Sequence, residues 1–232
     1  DAVRRAFADT DVVLSAIPYY FNFPLAQLAV DCGVHFADLG GNTAIVGQQR
    51  TLHDAAVAAG VAVVPDTGLA PGMVNVLAQY GIDQFESVEA VRLYVGGLPQ
   101  EPQPPLNYQI AYSIEGMLDY YTTPSLVLRD GVITEVAALS ELETITFDAP
   151  VGPLEAFHTA GGLSSMGYRY AGRIPCMEYK TLRFPGHARI MEAIRGLGLL
   201  GTTSVDVRGH PVTPRDVFVR VAGATLRTGK PD

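Results

Sequence analysis

Short apolar runs alternate with segments of helical hydrophobic spacing over the first 80 residues. The runs predict strands at 11–18, 34–38 and 61–64, and the spacing between them predicts helices that end at Gly33 and Gly60, the second with Thr43 as its N-cap. Each predicted strand is short and apolar, which is typical of a parallel sheet covered on both faces. We therefore predict that residues 1–80 form the second half of a doubly wound, Rossmann-type α/β domain.

The pattern changes after about residue 85, where strands are separated by turns instead of helices. We therefore predict that residues 81–232 form a second, α+β domain with a mixed or antiparallel sheet. The predicted helices are 113–121, 187–197 and 214–227, and the predicted strands are 88–95, 125–128, 132–137, 144–147, 154–159 and 177–183.

Two aspartates follow neighbouring strands of the predicted parallel sheet. Asp38 ends the second strand, and Asp66 lies in the loop after the third, which Pro65, Gly68 and Gly72 interrupt before a helix begins. The carboxyl ends of parallel strands meet at one edge, so we expect both carboxylates in one crevice, where burial raises a carboxylate's pKa. Taken alone, Asp66 also fits a surface turn.

A basic segment precedes the helix predicted to begin near His187. In a strand, Tyr179, Thr181 and Arg183 share one face and Lys180 lies on the other. Helix-terminal N–H groups together with these donors suit a carboxylate, and the same position lowers a histidine's basicity. A solvated basic rim is the alternative interpretation.

Thr159 and Tyr108 complete the candidate binding residues. Thr159 precedes Ala160-Gly161-Gly162, whose small side chains would let a ligand approach the backbone, although a simple turn also fits. Tyr108 offers a hydroxyl group to a pocket or, alternatively, completes a core.

Composition narrows the class of partner. The 232 residues carry a formal net charge of −8, which argues against nucleic acid or anionic membranes and favours a small molecule. Cys32 and Cys176 match no metal spacing and the histidines share no pattern with acids, so we expect no metal site. No apolar run is long enough to span a membrane, which favours a cytoplasmic protein. No G-x-G-x-x-G is present, so we expect the chain to begin inside a dinucleotide-binding domain.

Several motifs together resemble the saccharopine dehydrogenase-like oxidoreductases, and within them lysine 6-dehydrogenases most. The motifs, in chain order, are Ser15-Ala16-Ile17-Pro18, Asp38-Leu39-Gly40-Gly41, Gly68-Leu69-Ala70-Pro71-Gly72, Gly96-Gly97-Leu98-Pro99, Pro104-Pro105-Leu106-Asn107-Tyr108 and Tyr179-Lys180-Thr181-Leu182-Arg183-Phe184-Pro185-Gly186-His187.

The resemblance implies a homodimeric enzyme with a Rossmann domain that binds NAD, or alternatively NADP, and a second domain for substrate binding and dimerisation. It implies that Ser15 to Pro18 and Gly40 contact the cofactor and that Arg183 and Thr159 hold an amino acid's α-carboxylate. The base would be Asp66 or Asp38, with His187 as the alternative.

The resemblance also bears on the substrate. Saccharopine-forming members carry an acid where this sequence has Ala70 and an arginine near Gly161, and losing both favours oxidation of the ε-amine of lysine. The alternatives are a saccharopine dehydrogenase acting on a secondary amine, or a non-catalytic ligand-binding member of the fold.

Overall fold

The computed structural model describes residues 2–110 and 113–226, so the predicted helix end at 227 lies outside the described residues. The chain divides into two compact units. The first contains the described residues of Asp1–Leu93, Leu126–Thr134 and Gly161–Glu178, and the second those of Tyr94–Ser125, Glu135–Ala160 and Tyr179–Asp232.

Helices and strands alternate in the first part of the chain, and strands predominate in the middle of the remainder. In chain order the elements are α1 (Ala2–Ala8), β1 (Val12–Ser15), α2 (Asn22–Cys32), β2 (His35–Asp38), α3 (Thr43–Arg50), α4 (His53–Ala59), β3 (Val63–Val64), α5 (Met73–Ile82), β4 (Ala90–Gly96), α6 (Ile114–Thr122), β5 (Ser125–Arg129), β6 (Val132–Val136), β7 (Glu143–Thr146), β8 (Pro153–His158), α7 (Met166–Tyr170), β9 (Cys176–Arg183), α8 (His187–Gly196), β10 (Val205–Val207), β11 (His210–Val212) and α9 (Pro214–Leu226).

The predicted parallel sheet is confirmed. β1, β2 and β3 pair in that order, all parallel, with Ser15 opposite Asp38 and Ala37 opposite Val64. The three strands therefore end at one edge, and the chain leaves that edge through the loops that begin at Ala16, Leu39 and Pro65.

One face of this sheet is buried and the other is open. Phe36 packs with Val13 and Val63 against Phe7 of α1, Ala26 and Ala29 of α2, and Leu52. On the opposite face Val12 is 63% exposed, Leu14 61% and Val64 49%. The expectation that both faces are covered is therefore wrong for the described residues, because successive side chains point to opposite faces and the packed helices meet only one.

The helix predicted from Thr43 to Gly60 is two helices. α3 ends at Arg50 and α4 begins at His53, while Gly60 closes α4 in the left-handed conformation. The N-cap of α3 is Asn42 rather than Thr43, because the Asn42 side chain accepts hydrogen bonds from the N–H groups of Ala44 and Ile45 at 3.0 and 3.1 Å.

Antiparallel pairing dominates the second unit, as predicted. β7 pairs with β8 and β8 with the later part of β9, with Phe157 opposite Thr181. A core of buried side chains from α6, β8 and α8, including Leu118, Phe157 and Met191, lies in this unit. The sequence pattern predicts neither α7 nor the β10–β11 hairpin.

No helix within residues 2–110 and 113–226 is long and apolar enough to cross a membrane.

The N-cap of α3 gives a stability test. We expect Asn42→Ala to lower the free energy of unfolding by ~1 kcal/mol, because two helix N–H groups lose their acceptor. Thr43→Ala is the matched control and should change stability by less than about 0.5 kcal/mol. Urea denaturation measures both, and a larger loss for the Thr43 variant would contradict the assignment.

Candidate functional site

Asp38 and Asp66 meet at the carboxyl edge of the parallel strands, as the sequence predicts. Asp38 is fully buried. Its Oδ1 accepts hydrogen bonds from the N–H of Gly40 at 2.7 Å and the N–H of Asp66 at 3.4 Å, and its Oδ2 accepts one from Gln49 Nε2 at 2.6 Å. Asp38 is thus a buried carboxylate with hydrogen-bond donors on both oxygens, and these donors come from three parts of the chain.

Asp66 has fewer hydrogen-bond donors around its carboxylate than Asp38. Its backbone lies in the left-handed region at φ 60°, and its Oδ2 accepts a hydrogen bond from the hydroxyl of Ser164. Its Oδ1 is buried and has no hydrogen-bond partner among the described residues. The pKa of Asp66 is raised from 3.8 to about 6, mainly by burial and also by the charge of Asp38, while the hydrogen bond from Ser164 and the backbone of Gly41 oppose the rise.

Glycines allow the loops at this edge to approach one another. A Cβ on Gly40 would lie 2.0 Å from Asp66 Oδ1, and Gly40 has φ 75°. A Cβ on Gly72 would lie 2.0 Å from the carbonyl oxygen of Gly68. Gly40 therefore makes room for the Asp66 carboxylate, and Gly72 closes the loop that carries it.

A cavity of about 450 Å³ lies beside Asp66. Among the described residues that line it, Asp66 alone is charged; the others are apolar or neutral, including Pro65, Met73, Val76 and Leu163. A carboxylate with a raised pKa at the wall of such a cavity suits a general base or acid.

Ser164 and Asn75 belong to this site and were not found from the sequence. The side chain of Asn75 accepts a hydrogen bond from Gly72 N–H at 2.7 Å and donates to the carbonyl oxygens of Gly162 and Leu163 at 3.2 and 3.3 Å. The sequence predicts only that Ala160-Gly161-Gly162 form a turn or let a ligand approach the backbone, and no local pattern connects Ser164 with residue 66, about 100 positions away.

The residues predicted to contact a dinucleotide follow β1 and β2. Ser15 lies opposite Asp38, and its hydroxyl donates to Asn22 Oδ1 at 2.8 Å. Ala16 and Ile17 are exposed, and Pro18 precedes a short 3₁₀ turn. Ile17 is 52% exposed and Leu39 45%, so the strand ends present apolar surface.

His187 lies in the second unit, inside a ring cluster. Its Nδ1 is 3.1 Å from the carbonyl oxygen of Leu106, and its Nε2 is 2.9 Å from the hydroxyl of Tyr121. Since a carbonyl only accepts, Nδ1 carries the proton and Nε2 accepts from Tyr121. The pKa of His187 is lowered to about 4, mainly by burial and further by the charge of Arg183, while the hydrogen bond to Leu106 opposes both effects.

Arg183 and Tyr108 accompany His187. The guanidinium group lies 4.7 Å from the centre of the Tyr108 ring and donates to the carbonyl oxygen of Leu182 at 2.9 Å. The Tyr108 hydroxyl is buried and has no hydrogen-bond partner among the described residues. Arg183 is buried too, so a solvated rim does not describe it.

Thr159 and Lys180 have partners within the second unit. The hydroxyl of Thr159 is hydrogen-bonded to that of Thr181 at 2.7 Å. Lys180 donates to Glu143 Oε1 at 2.7 Å and to the carbonyl oxygen of Glu141 at 2.8 Å. Lys180 is therefore an internal ion-pair residue on the strand face opposite to Arg183, as the alternation predicts.

A carboxylate of the protein itself occupies the N-terminus of α8. Glu155 accepts hydrogen bonds from the N–H groups of Gly186 at 2.8 Å and Ala188 at 3.2 Å. The helix dipole that was expected to attract an external carboxylate thus interacts with a side chain of the same unit.

Comparison with known proteins gives the family. Residues 1–64 match the model of the saccharopine dehydrogenase NADP binding domain, and residues 68–230 match that of the saccharopine dehydrogenase C-terminal domain. The chain belongs to the saccharopine dehydrogenase family.

Similar proteins support this membership. An NADP⁺-dependent, L-glutamate-forming saccharopine dehydrogenase of Saccharomyces cerevisiae is 26% identical over 96% of this chain and 51% of its own length. The mitochondrial alpha-aminoadipic semialdehyde synthase of Rattus norvegicus is 25% identical over 96% of this chain and 25% of its length. The chain thus spans about half or less of these relatives.

A solved structure agrees in fold. Apo saccharopine dehydrogenase (L-Glu forming) from Saccharomyces cerevisiae superposes with a TM-score of 0.69 at 22% identity, covering 100% of this chain and 56% of that one.

The close approach at Gly40 predicts a large effect of one methyl group. We expect Gly40→Ala to destabilise the protein by about 2–3 kcal/mol, because the added Cβ meets Asp66 Oδ1 and φ is positive. Gly47→Ala within α3 is the control: nothing lies near its Cβ, and it should stabilise by ~0.5–1 kcal/mol. Thermal unfolding distinguishes the two, and equal effects would refute the packing argument.

The raised pKa of Asp66 predicts a pH-dependent stability difference. Ionisation costs more in the folded than in the unfolded chain, so Asp66 lowers stability progressively as the pH rises from 3.8 to about 6. We expect Asp66→Asn to be more stable than the wild type at pH 8, by at most ~3 kcal/mol, and the gain to disappear near pH 4. Urea denaturation at both pH values tests this; a gain that is larger at pH 4 would contradict it.

Proposed function

We propose that the protein is an NAD(P)-dependent oxidoreductase acting on the CH–NH₂ group of an amino acid, with Asp66 as the base. The observation that carries this proposal is a half-buried carboxylate, with a pKa of about 6, at the wall of a cavity beside the carboxyl ends of parallel strands. Family membership supports the reaction class.

Asp66 suits the proton transfer that amine oxidation requires. A free ε-ammonium group has a pKa near ~10.4 and carries no lone pair, so it must lose a proton before hydride can leave its carbon. Above pH 6 Asp66 is a carboxylate, which is the form that can accept a proton. Asp66 would take a proton from the ammonium group, the carbon of the resulting amine would lose hydride to NAD(P)⁺ and leave an iminium ion, and water would hydrolyse the iminium ion to an aldehyde and ammonium.

The residues after β1 and β2 fit the nicotinamide end of a dinucleotide. NAD(P)⁺ supplies the hydride acceptor when bound. Exposed Ile17 and Leu39 offer apolar surface for a flat ring, and Ala16 and Gly40 add little bulk at the same strand ends. The chain's part is to present this surface beside Asp66.

Asp66 is a better base than the two alternatives. Asp38 is fully buried, and three N–H donors occupy its carboxylate, so we assign it a positioning role. Both ring nitrogens of His187 are hydrogen-bonded, and its pKa of about 4 makes it a weak base.

The cavity favours lysine as the substrate. No arginine or lysine is among the described residues that line it, and the glutamate arm of saccharopine adds two carboxylates to the one that lysine also carries, so saccharopine lacks more cationic partners here. The yeast relative is an L-glutamate-forming saccharopine dehydrogenase, which makes saccharopine the second candidate. The homodimer and the cytoplasmic location remain predictions from the sequence.

The assignment of Asp66 is tested in the full-length protein by absorbance of reduced nicotinamide. We expect Asp66→Asn to lower kcat by about 10²–10⁴-fold, while the Kd for the dinucleotide changes less than about twofold. Asp9→Asn, at an exposed position, is the matched control and should retain activity. Unchanged turnover in Asp66→Asn would refute the base assignment.

The same assay separates the candidate functions. Turnover with lysine alone supports the first substrate, and turnover with saccharopine alone supports the second. Absence of reduced nicotinamide with both amino acids, under conditions where the dinucleotide binds, would favour a non-catalytic member.

A further inference from the structure

We propose that Ser164 is the positioning residue of Asp66, fixing the orientation of its carboxylate through Oδ2, and that Asn75 fixes the segment that carries Ser164. The role in catalysis rests on the proposed function of Asp66; the positioning role rests on the geometry alone.

The position of Ser164 is fixed by burial, by a hydrogen bond and by its backbone conformation. It is buried, its hydroxyl donates to Asp66 Oδ2, and its backbone has φ 47°. Residues other than glycine rarely adopt this left-handed backbone conformation, which persists where the surrounding structure imposes it. The backbone at Ser164 is thus strained in the position that brings its hydroxyl to Asp66.

Asn75 supplies the constraint. One amide group at the start of α5 accepts from Gly72 N–H and donates to the carbonyl oxygens of Gly162 and Leu163. The same side chain therefore anchors the end of the loop that carries Asp66 and the residues immediately before Ser164. Asn75 therefore holds together the two segments that the Ser164–Asp66 hydrogen bond joins.

The two carboxylate oxygens of Asp66 consequently differ. Oδ2 accepts from a hydroxyl group, whereas Oδ1 is buried beside Gly40 and has no partner within normal hydrogen-bond distance and angle among the described residues; the backbone of Gly41 adds a weaker contribution that favours the charged form. Loss of the Ser164 hydroxyl removes a donor to the charged form and lets the carboxylate rotate. Asp66 then holds its proton to higher pH and loses its fixed orientation.

The test measures Asp66 directly, by ¹³C NMR titration of aspartate-labelled protein with the Asp66 resonance assigned from Asp66→Asn. Ser164→Ala and Ser164→Gly both remove the hydroxyl, but only Ser164→Gly also relieves the left-handed backbone. We expect the Asp66 pKa to rise by about one pH unit in both variants. Ser165→Ala, which removes an exposed neighbouring hydroxyl, should leave it unchanged.

Asn75→Ala tests the anchoring step. We expect the pKa of Asp66 to rise in the same direction by a smaller amount, because the hydroxyl is still present but its segment is released. In kinetic assays of Ser164→Gly, kcat should fall and the acidic limb of the kcat/KM profile should move up with the titration.

The outcomes separate this inference from the proposed function. An Asp66 titration that is unchanged in both Ser164 variants would overturn the positioning role, whatever the activity. A raised titration together with full turnover in Asp66→Asn would support the positioning of Asp66 and refute its role as the base. A raised titration with a matching shift of the kinetic limb supports both.

Discussion

The buried carboxylate of Asp38 fixes the edge of the parallel sheet on which the candidate site depends. A buried charge is costly unless hydrogen-bond donors replace water. Here the donors come from Gly40, Gln49 and Asp66, so the loops after β2 and β3 and the helix α3 all converge on one side chain. The position of Asp66 is thus a consequence of satisfying Asp38.

Two neighbouring carboxylates with unequal surroundings can take different roles. Asp38 has donors on both oxygens, whereas Asp66 has one hydroxyl donor, from Ser164, and lies close to the charge of Asp38. Burial without full hydrogen bonding keeps a carboxyl group near its titration point at working pH. The difference between the two aspartates comes from the distribution of N–H and O–H donors.

Local pattern was enough to find the three parallel strands and Asp66, because strand ends and glycine loops are properties of neighbouring residues. It could not find Ser164, since the contact with Asp66 closes across about 100 residues of chain. The break between α3 and α4 was missed for a related reason: helical spacing continues through Thr51, while the N-cap at Asn42 depends on side-chain geometry.

A motif shared within a family reports on packing as well as on chemistry. In the segment that ends at His187, Lys180 pairs with Glu143, and His187 binds Leu106 and Tyr121. Glu155 occupies the helix N-terminus that follows. These polar groups satisfy one another inside the second unit, so buried hydrogen bonds account for the residues of this segment before any ligand is invoked.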